Sequence, residues 1–357
     1  MTKSDTKFDF DDILIQPAII SNISSRSEIS VIYEDGYLPL FTAPMDTVVS
    51  EANVGIFQDQ GIRVVKPRTM NNGYDYSLGH FNEFISFGLD SFNQIFLNEK
   101  GKFEYDNEIY VLIDIANGHM SKLIDSVKNA KEIYGNQMIL MAGNVANPKT
   151  YSDLSDAGAD YVRVGIGNGG GCLTTVQTGV GYPMGSLVKE CYIESCFIDN
   201  PAKIVADGGF KSYSDIIKAL ALGADYVMLG SIFNKALESA GETYMEEFTS
   251  RSNPRETVDQ YSEKTKEIFE CGTKMVKSFR GMSTKEAQKA MGKTVLKTSE
   301  GVNRIHPVEY TLEGWTNNFK SYLSSAMSYS NARTLKEFIG LAKYNYVTTS
   351  SINRYKK

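Results

Sequence analysis

The chain has 357 residues, of which 42% are hydrophobic and 22% are charged, so it can bury one large core. Its formal net charge is −6 and its pI is near 5.3, with no basic stripe. This charge argues against a nucleic-acid partner, although backbone amides could still hold a single phosphate. No apolar run is long enough to cross a membrane, and the polar start MTKSDTKFDFDD is unlike a signal peptide. We therefore expect a cytoplasmic protein without membrane or nucleic-acid partners.

The cysteine and histidine positions favour neither a disulfide framework nor a zinc site. The cysteines form no CxxC pair and the histidines are far apart in the chain: Cys172, Cys191, Cys196 and Cys271; His80, His119 and His306. Three of the cysteines are expected to act as small hydrophobes. Cys172 differs from them because of its glycine-rich surroundings.

Short β-branched or apolar runs alternate with helix-length segments, as in parallel βα units. Eight runs are predicted to be strands: Leu38–Thr42, Ile62–Lys66, Tyr110–Asp114, Met138–Ala142, Tyr161–Val164, Lys203–Ala206, Tyr226–Leu229 and Lys274–Phe279. Segments such as Ser121–Tyr134 and Ser212–Leu222 have the spacing of amphipathic helices. The pattern predicts an α/β fold, a (β/α)₈ TIM barrel forming a single domain over 1–357. An N-terminal lead-in precedes it, and an insertion or flap follows the eighth strand.

In such barrels the chemistry lies on loops at the carboxyl ends of the strands. After Val164 the chain reads Gly165-Ile166-Gly167-Asn168-Gly169-Gly170-Gly171-Cys172. Glycines at this density let the backbone approach a ligand closely, and several backbone N–H groups near a thiol favour its thiolate. We interpret Cys172 as a nucleophile; the alternative is a plain flexible turn.

Small residues follow two further consecutive strands, as Asp207-Gly208-Gly209 and as Gly230-Ser231. Either sequence by itself is typical of many turns. Because the two follow consecutive strands, they would place their backbone amides together, and this predicts a phosphate site. Asp207 would then face the sugar of the ligand. Lys66 and Asp114 end the second and third predicted strands, where they could form a structural ion pair or part of a proton relay.

At this point the motifs identify a family. The loop GIGNGGGCLTTVQTGVGYP, with APMDTV at 43–48 and ADGGF at 206–210, resembles the IMP dehydrogenase/GMP reductase family. Further matches cover nearly the whole chain: FDDILIQP at 10–17, SRSE at 25–28, AGNV at 142–145, GADYVMLGS ending at Ser231, FRGMS at 279–283 and SEG at 299–301.

The resemblance implies that Cys172 adds to C2 of a purine nucleotide to form a thioimidate, with hydride exchange to a nicotinamide. Several features favour the reductase branch: Lys66 stands where dehydrogenases have histidine, Asp114–Gly118 reads DIANG, and no arginine lies between Arg280 and Glu300. The interval from Lys66 to Tyr110 is too short for a CBS regulatory domain. The implied reaction converts GMP and NADPH to IMP and ammonia. Thr174 and Glu300 would manage the proton of the leaving amine, and Lys66 and Asp114 would tune the nicotinamide side.

The resemblance also implies binding residues. Those around the nucleotide would be Met45, Asp207, Gly208, Gly209, Gly230, Ser231, Gly281, Met282, Glu300 and Gly301. Those around the cofactor would be Arg26, Asp114, Ile166, Gly167, Ser283, Ser325 and Tyr329. A potassium ion would lie on carbonyl groups of Gly167, Gly169 and Cys172, and the protein would be a homotetramer.

The sequence departs from the family pattern at four positions. Gly170 replaces a serine that contacts phosphate, Asn168 replaces a proline, Val176 replaces an arginine, and Phe279 replaces a tyrosine. Two alternatives therefore stay open, a CBS-free dehydrogenase that oxidises IMP to XMP with NAD⁺, which APMD favours, and a nucleotide-binding barrel without catalysis. A flavin-dependent barrel would leave the cysteine loop unexplained.

Overall fold

The computed structural model describes residues 6–70, 83–98, 108–246, 256–292, 294–296, 298–299 and 301–355. Within these ranges one sheet has eight parallel strands: β1 Leu40–Thr42, β2 Val64–Lys66, β3 Glu83–Phe87, β4 Ile109–Asp114, β5 Met138–Val145, β6 Tyr161–Val164, β7 Lys203–Asp207 and β8 Tyr226–Leu229. From β2 to β8 each strand pairs with the next, β1 pairs with β8, and a parallel bridge between Phe41 and Arg63 links β1 to β2. The predicted α/β barrel is confirmed.

One strand assignment from the sequence was wrong and one strand was missed. The segment predicted as the eighth barrel strand, Lys274–Phe279, forms β11 Met275–Arg280 in a separate antiparallel sheet. Its neighbours there are β9 Thr243–Met245 and β12 Asn303–Pro307, and β10 Thr257–Val258 pairs with β9. The missed barrel strand is β3. The predicted insertion therefore begins after β8 and includes β11, because the β11 hydrogen bonds are made to antiparallel partners.

The helices surround the barrel or belong to the insertion and the C-terminal segment. They are α1 Val54–Asp59, α2 Leu89–Phe92, α3 Ser121–Tyr134, α4 Pro148–Asp156, α5 Thr174–Thr178, α6 Met184–Ser195, α7 Tyr213–Leu222, α8 Ser231–Asn234, α9 Glu263–Glu270, α10 Lys285–Ala290, α11 Leu312–Tyr329, α12 Leu335–Phe338 and α13 Thr349–Asn353. Ser212 caps α7, and its side chain and that of Asp215 form a capping box. In the part of the chain that is described, no helix has both the length and the apolar character needed to span a membrane.

Aromatic rings fill the barrel interior towards the amino ends of the strands. The ring centroids of Phe41 and Phe84 lie 5.6 Å apart, and those of Phe41 and Tyr226 lie 4.9 Å apart. Tyr161 joins the same cluster, and the guanidinium of Arg63 lies 4.6 Å from the ring of Tyr37. Because this end is packed with side chains in the described structure, the carboxyl ends of the strands are the side at which a ligand site is expected.

The N-terminal lead-in packs against the outer helices. Its strand Ile13–Ile15 pairs antiparallel with Tyr344–Tyr346 from the C-terminal segment. The backbone N–H of Phe8 donates to Ser186 Oγ at 2.7 Å, and Lys218 Nζ donates to the Phe10 carbonyl at 2.8 Å. These bonds attach the lead-in to α6 and α7.

Asn234 attaches the insertion to the barrel. This side chain is fully buried, and its Nδ2 donates to the carbonyls of Thr47, at 2.8 Å, and Ser278, at 3.0 Å. Its Oδ1 accepts from Nδ1 of His306 at 2.8 Å. The side-chain amide of Asn234, at the end of α8, thus bonds to the loop after β1 and to the insertion strands β11 and β12. Nearby, burial lowers the pKa of Lys277 to about 7, and its Nζ donates to the carbonyls of Leu237 and Ser239 at 2.6 and 2.7 Å.

Replacing Asn234 by alanine should lower the free energy of unfolding by about 2–3 kcal/mol, because the carbonyls of Thr47 and Ser278 and the ring of His306 each lose a hydrogen bond. Urea denaturation at neutral pH measures this change. The control is Lys235→Ala, which removes a partly exposed ion pair with Glu309 and should cost no more than about 1 kcal/mol. Equal losses in the two variants would contradict the anchoring role.

Candidate active site

The glycine-rich loop after β6 is held tightly by its neighbours. Gly165 and Gly167 have φ values of +129° and +79°, which side chains rarely adopt. A Cβ on Gly165 would lie 2.5 Å from the carbonyl oxygen of Asp207, and one on Gly167 would lie 1.7 Å from Thr175 Oγ1. The glycines are therefore required by close packing, and the alternative of a plain flexible turn does not account for these contacts.

Cys172 lies at the end of this loop and is partly exposed. Its thiol donates to Thr174 Oγ1 at 3.3 Å, in the first turn of α5, and its backbone N–H donates to the Gly169 carbonyl at 2.9 Å. An antiparallel bridge joins Cys172 to Gly301, and the Val302 N–H donates to the Gly171 carbonyl at 3.1 Å. The insertion thus returns to the barrel at Cys172.

The two turns predicted to bind phosphate lie against the same loop. A Cβ on Gly208 would lie 3.0 Å from the backbone of Gly169, and a Cβ on Gly170 would lie 3.5 Å from Ser231 Oγ. Because β3 was missed, these turns follow the seventh and eighth barrel strands rather than the sixth and seventh. That is the usual place of a phosphate site in barrels of this type.

Met45 and the insertion border the loop on other sides. Met45 Sδ lies 2.9 Å from the position of a Cβ on Gly230. A Cβ on Gly281 would lie 2.5 Å from the Gly171 carbonyl oxygen, and one on Gly301 would lie 2.9 Å from Ser283 Oγ. Gly281 and Gly301 therefore lie against the loop, whereas Met45 contacts the turn at Gly230 and Ser283 contacts Gly301; Met282 lies between Gly281 and Ser283 in the chain. Glu300 lies outside the described residues.

Arg163 is the central residue that the sequence analysis missed. It is buried within β6, and its two terminal nitrogens donate to Asp114 Oδ1 and Asp207 Oδ2, each at 2.8 Å. Arg68 Nε lies 3.0 Å from Asp114 Oδ2, and Asn144 Nδ2 donates to Asp207 Oδ2 at 2.7 Å. The sequence signal that could have revealed it is an arginine within the otherwise apolar strand Tyr-Val-Arg-Val, which indicates a buried charge with a partner.

This network fixes the charge of Asp114. Burial alone would raise the pKa of that carboxyl, but the guanidinium groups of Arg68 and Arg163 outweigh it and hold the pKa below its usual range. Asp114 is therefore a carboxylate at neutral pH.

A structural ion pair between Lys66 and Asp114, one of the two roles considered for them, is not formed; each residue has other partners. Lys66 Nζ lies 2.9 Å from Glu83 Oε2 and 3.3 Å from Glu51 Oε2. The missed strand β3 separates β2 from β4, so the two residues do not end neighbouring strands. The guanidinium groups of Arg68 and Arg163 face Asp114 instead.

Comparison with known proteins agrees with this geometry. Residues 103–253 match the model of the IMP dehydrogenase / GMP reductase domain. The chain is 28% identical to the GMP reductase of Shewanella pealeana over 99% of both proteins, and 29% identical to human GMP reductase 2 over 94% of this chain and 92% of that protein. It is 35% identical to the inosine-5'-monophosphate dehydrogenase of Chlorobaculum parvum, over 68% of this chain and 46% of that protein.

The chain belongs to the IMP dehydrogenase/GMP reductase family. The family binds purine nucleotides and uses a nicotinamide cofactor, so the chain is a member of an oxidoreductase family. The alignments with the reductases extend over nearly all of both proteins, whereas the alignment with the dehydrogenase covers less than half of that relative.

Three of the cofactor residues that the family resemblance implied form a separate group. Arg26 lies in the lead-in, in a short 3₁₀ turn, and Ser325 and Tyr329 lie on α11. The lead-in and α11 are joined by a hydrogen bond from the Ala18 N–H to the Tyr329 carbonyl at 2.8 Å. Between these residues and the Cys172 loop, no hydrogen bond is found in the described ranges. Their role stays a prediction.

Replacing Arg163 by methionine should lower the free energy of unfolding by about 3–5 kcal/mol at neutral pH, because it leaves buried carboxylates unpaired. The pKa of Asp114 is lowered in the folded protein, so its ion pairs stabilise the fold above the ordinary carboxyl pKa and are lost as the pH falls through the lowered value. The difference between the variant and the wild type should therefore be constant above the ordinary carboxyl pKa and shrink as the pH is lowered below about 4. Urea denaturation across this pH range measures it.

The matched control is Lys149→Met, which removes an exposed pair with Asp153 on α4. Because this pair is exposed to solvent, its loss should leave the stability indistinguishable from that of the wild type at all of these pH values. A loss in Arg163→Met that is small or independent of pH would contradict the network.

Proposed function

We propose that this protein is a GMP reductase, which converts GMP and NADPH to IMP and ammonia in the interconversion of purine nucleotides. The observation that carries the proposal is the position of Cys172. Its thiol lies 3.3 Å from the Thr174 hydroxyl, in a loop that contacts the turn after β7, the start of α8 and the returning insertion. The extent of the alignments with proteins named GMP reductase supports the reductase over the dehydrogenase.

In the proposed reaction the Cys172 thiolate adds to C2 of the guanine. The exocyclic amine takes up a proton and leaves as ammonia, so that a C2–S thioimidate remains. Thr174 and Glu300 deliver this proton, since an unprotonated amine is a poor leaving group. When bound, NADPH supplies the hydride that C2 receives as the C–S bond breaks and the thiolate is released. The sum is GMP, NADPH and two protons giving IMP, ammonium and NADP⁺.

The nucleotide would be held mainly by neutral groups. Both hydrogen bonds to the Asp207 carboxylate from described residues end on Oδ2, so Oδ1 can accept from ribose hydroxyls. The phosphate would lie at the glycine and serine amides of the two turns, and Met45 would pack against the base. The proposed nucleotide set is Met45, Asp207, Gly208, Gly209, Gly230, Ser231, Gly281, Met282 and Gly301.

The residues at the mouth fit a nicotinamide. Arg163 Nε is buried and has no hydrogen-bond partner among the described residues, so it can donate to a carboxamide oxygen. It lies between Asp114 and Asp207, and the proposed cofactor set also includes Ile166, Gly167 and Ser283 on other loops. Lys66 is proposed to act on the cofactor side from its pair with Glu83.

Two further features belong to the proposal. The separate group of Arg26, Ser325 and Tyr329 would hold the cofactor of a neighbouring subunit in a homotetramer. A potassium ion would lie on carbonyls of Gly167, Gly169 and Cys172. The Gly169 carbonyl already accepts the Cys172 N–H and retains a second lone pair for a cation.

Absorbance at 340 nm tests the reaction, with GMP and NADPH in one cuvette and IMP and NAD⁺ in another. We expect NADPH consumption with ammonia release in the first, and complete loss of both in Cys172→Ala. NADH production in the second would instead identify an IMP dehydrogenase, the second candidate, which the 35% identity to the Chlorobaculum enzyme favours. No change in either would leave a nucleotide-binding barrel without catalysis and refute the proposal.

Replacing Thr174 by valine should lower kcat for GMP reduction by about 10- to 100-fold with little change in KM, because the leaving amine loses a proton donor. Steady-state kinetics with GMP as the varied substrate measure this split. Thr178→Val is the matched control in the same helix, since the Thr178 hydroxyl donates only to the Thr174 carbonyl at 2.7 Å in the described structure. If both variants retained wild-type kcat, the role of Thr174 would be wrong.

A further inference from the structure

One buried donor in the nucleophile loop, Gly165–Cys172, has no hydrogen-bond partner among the described residues. The Nδ2 of Asn168 is shielded from solvent and makes no hydrogen bond to any described residue. A buried amide donor left unpaired is unfavourable, and most such groups in proteins are satisfied. The position of Asn168 shows which ligand could satisfy it.

Asn168 lies directly against the turn after β7. Its Cβ is 3.2 Å, and its carbonyl oxygen 3.3 Å, from the position of a Cβ on Gly209. Gly208 and Gly209 have φ values of +85° and +88°, and a Cβ on Gly208 would lie 3.0 Å from the backbone of Gly169. The side chain of Asn168 therefore starts at the turn proposed to hold the phosphate.

The opposite side of this loop faces the start of α8. A Cβ on Gly170 would be 3.5 Å from Ser231 Oγ, which is an ordinary van der Waals contact. Residues 168–170 thus lie between the two turns, and a side chain at position 170 would have room beside the Ser231 hydroxyl.

The nearby cationic groups in the described structure are already paired with carboxylates. Arg163 bonds to Asp114 and Asp207, and Arg280 Nε donates to Asp46 Oδ1 at 3.0 Å. An anion between the two turns must therefore be bound chiefly by neutral donors, which are backbone amides, hydroxyls and amide side chains.

We propose that the Asn168 side-chain amide donates a hydrogen bond to the phosphate of the bound nucleoside monophosphate. This rests on the proposed function and adds a residue that selects the nucleotide over the nucleoside. The bond is charge-assisted, so it stabilises the complex more than a bond between neutral groups would.

Isothermal titration calorimetry with GMP, guanosine and inorganic phosphate tests the proposal. Asn168→Ala should weaken GMP binding about tenfold or more and leave guanosine binding unchanged. Asn168→Asp should weaken GMP binding further, because a carboxylate would face the phosphate. In the Asn168→Ala background, Gly170→Ser should restore part of the affinity by placing a hydroxyl beside Ser231. Asn129→Ala, an exposed change on α3, is the control and should bind GMP as the wild type does.

Thermal unfolding separates this role from a structural one. Without ligand, Asn168→Ala should melt at or slightly above the wild-type temperature, because it removes an unpaired buried donor, while its stabilisation by GMP should be smaller. Equal GMP affinity in Asn168→Ala and the wild type would overturn the inference, as would an equal loss of affinity for guanosine. In those cases wild-type turnover of GMP would leave the proposed function intact. Absence of GMP binding to the wild type would overturn both.

Discussion

The guanidinium group of Arg163 determines how the mouth of the barrel is built. It is buried between carboxylates at the ends of β4 and β7, and each of these charges would be costly without its partner. Because the guanidinium and both carboxylates must be paired at the same time, β4, β6 and β7 are held in one relative position at the mouth. Asp114 thereby stays ionised, and Asp207 is oriented with one oxygen engaged by Arg163 and Asn144. This charge-neutral network of buried side chains fixes the position of the loop that follows β6.

The nucleophile loop itself is specified by contacts with its surroundings. Gly165 packs on the end of β7, Gly167 on α5, and Gly171 on the Phe279 ring, so a Cβ at any of these positions would clash. The insertion completes this enclosure through Gly281 and Gly301, and Asn234 holds the insertion to the barrel. The position of Cys172 therefore depends on an antiparallel sheet outside the barrel, which the (β/α)₈ repeat alone would not supply.

The sequence predicted the fold class, seven of the strands and the loop that carries Cys172, because these depend on local patterns of apolar and glycine residues. It failed where the outcome depends on partners distant in the chain. The run at 275–280 has the length and residue types of a strand, and only its hydrogen bonding to β9 and β12 shows that it lies outside the barrel. The short run at 83–87 was passed over, so Lys66 was placed beside Asp114. Arg163 was overlooked for a related reason, since a buried charge is interpretable only when its two carboxylates are known.

The same pairing of charges constrains how an anionic substrate can be recognised. A protein with a net charge of −6 whose arginines at the site face carboxylates attracts a phosphate weakly from a distance. Discrimination must then come from short-range geometry: close-packed glycines that expose amides, hydroxyls, and a side-chain amide whose donor is buried. Such donors select by shape and hydrogen-bond count rather than by total charge, so a larger polyphosphate gains little from its extra charge. In the proposed function the two sets of groups therefore have separate tasks: the paired arginines hold the strand ends in place, and the neutral groups of the loop bind the ligand.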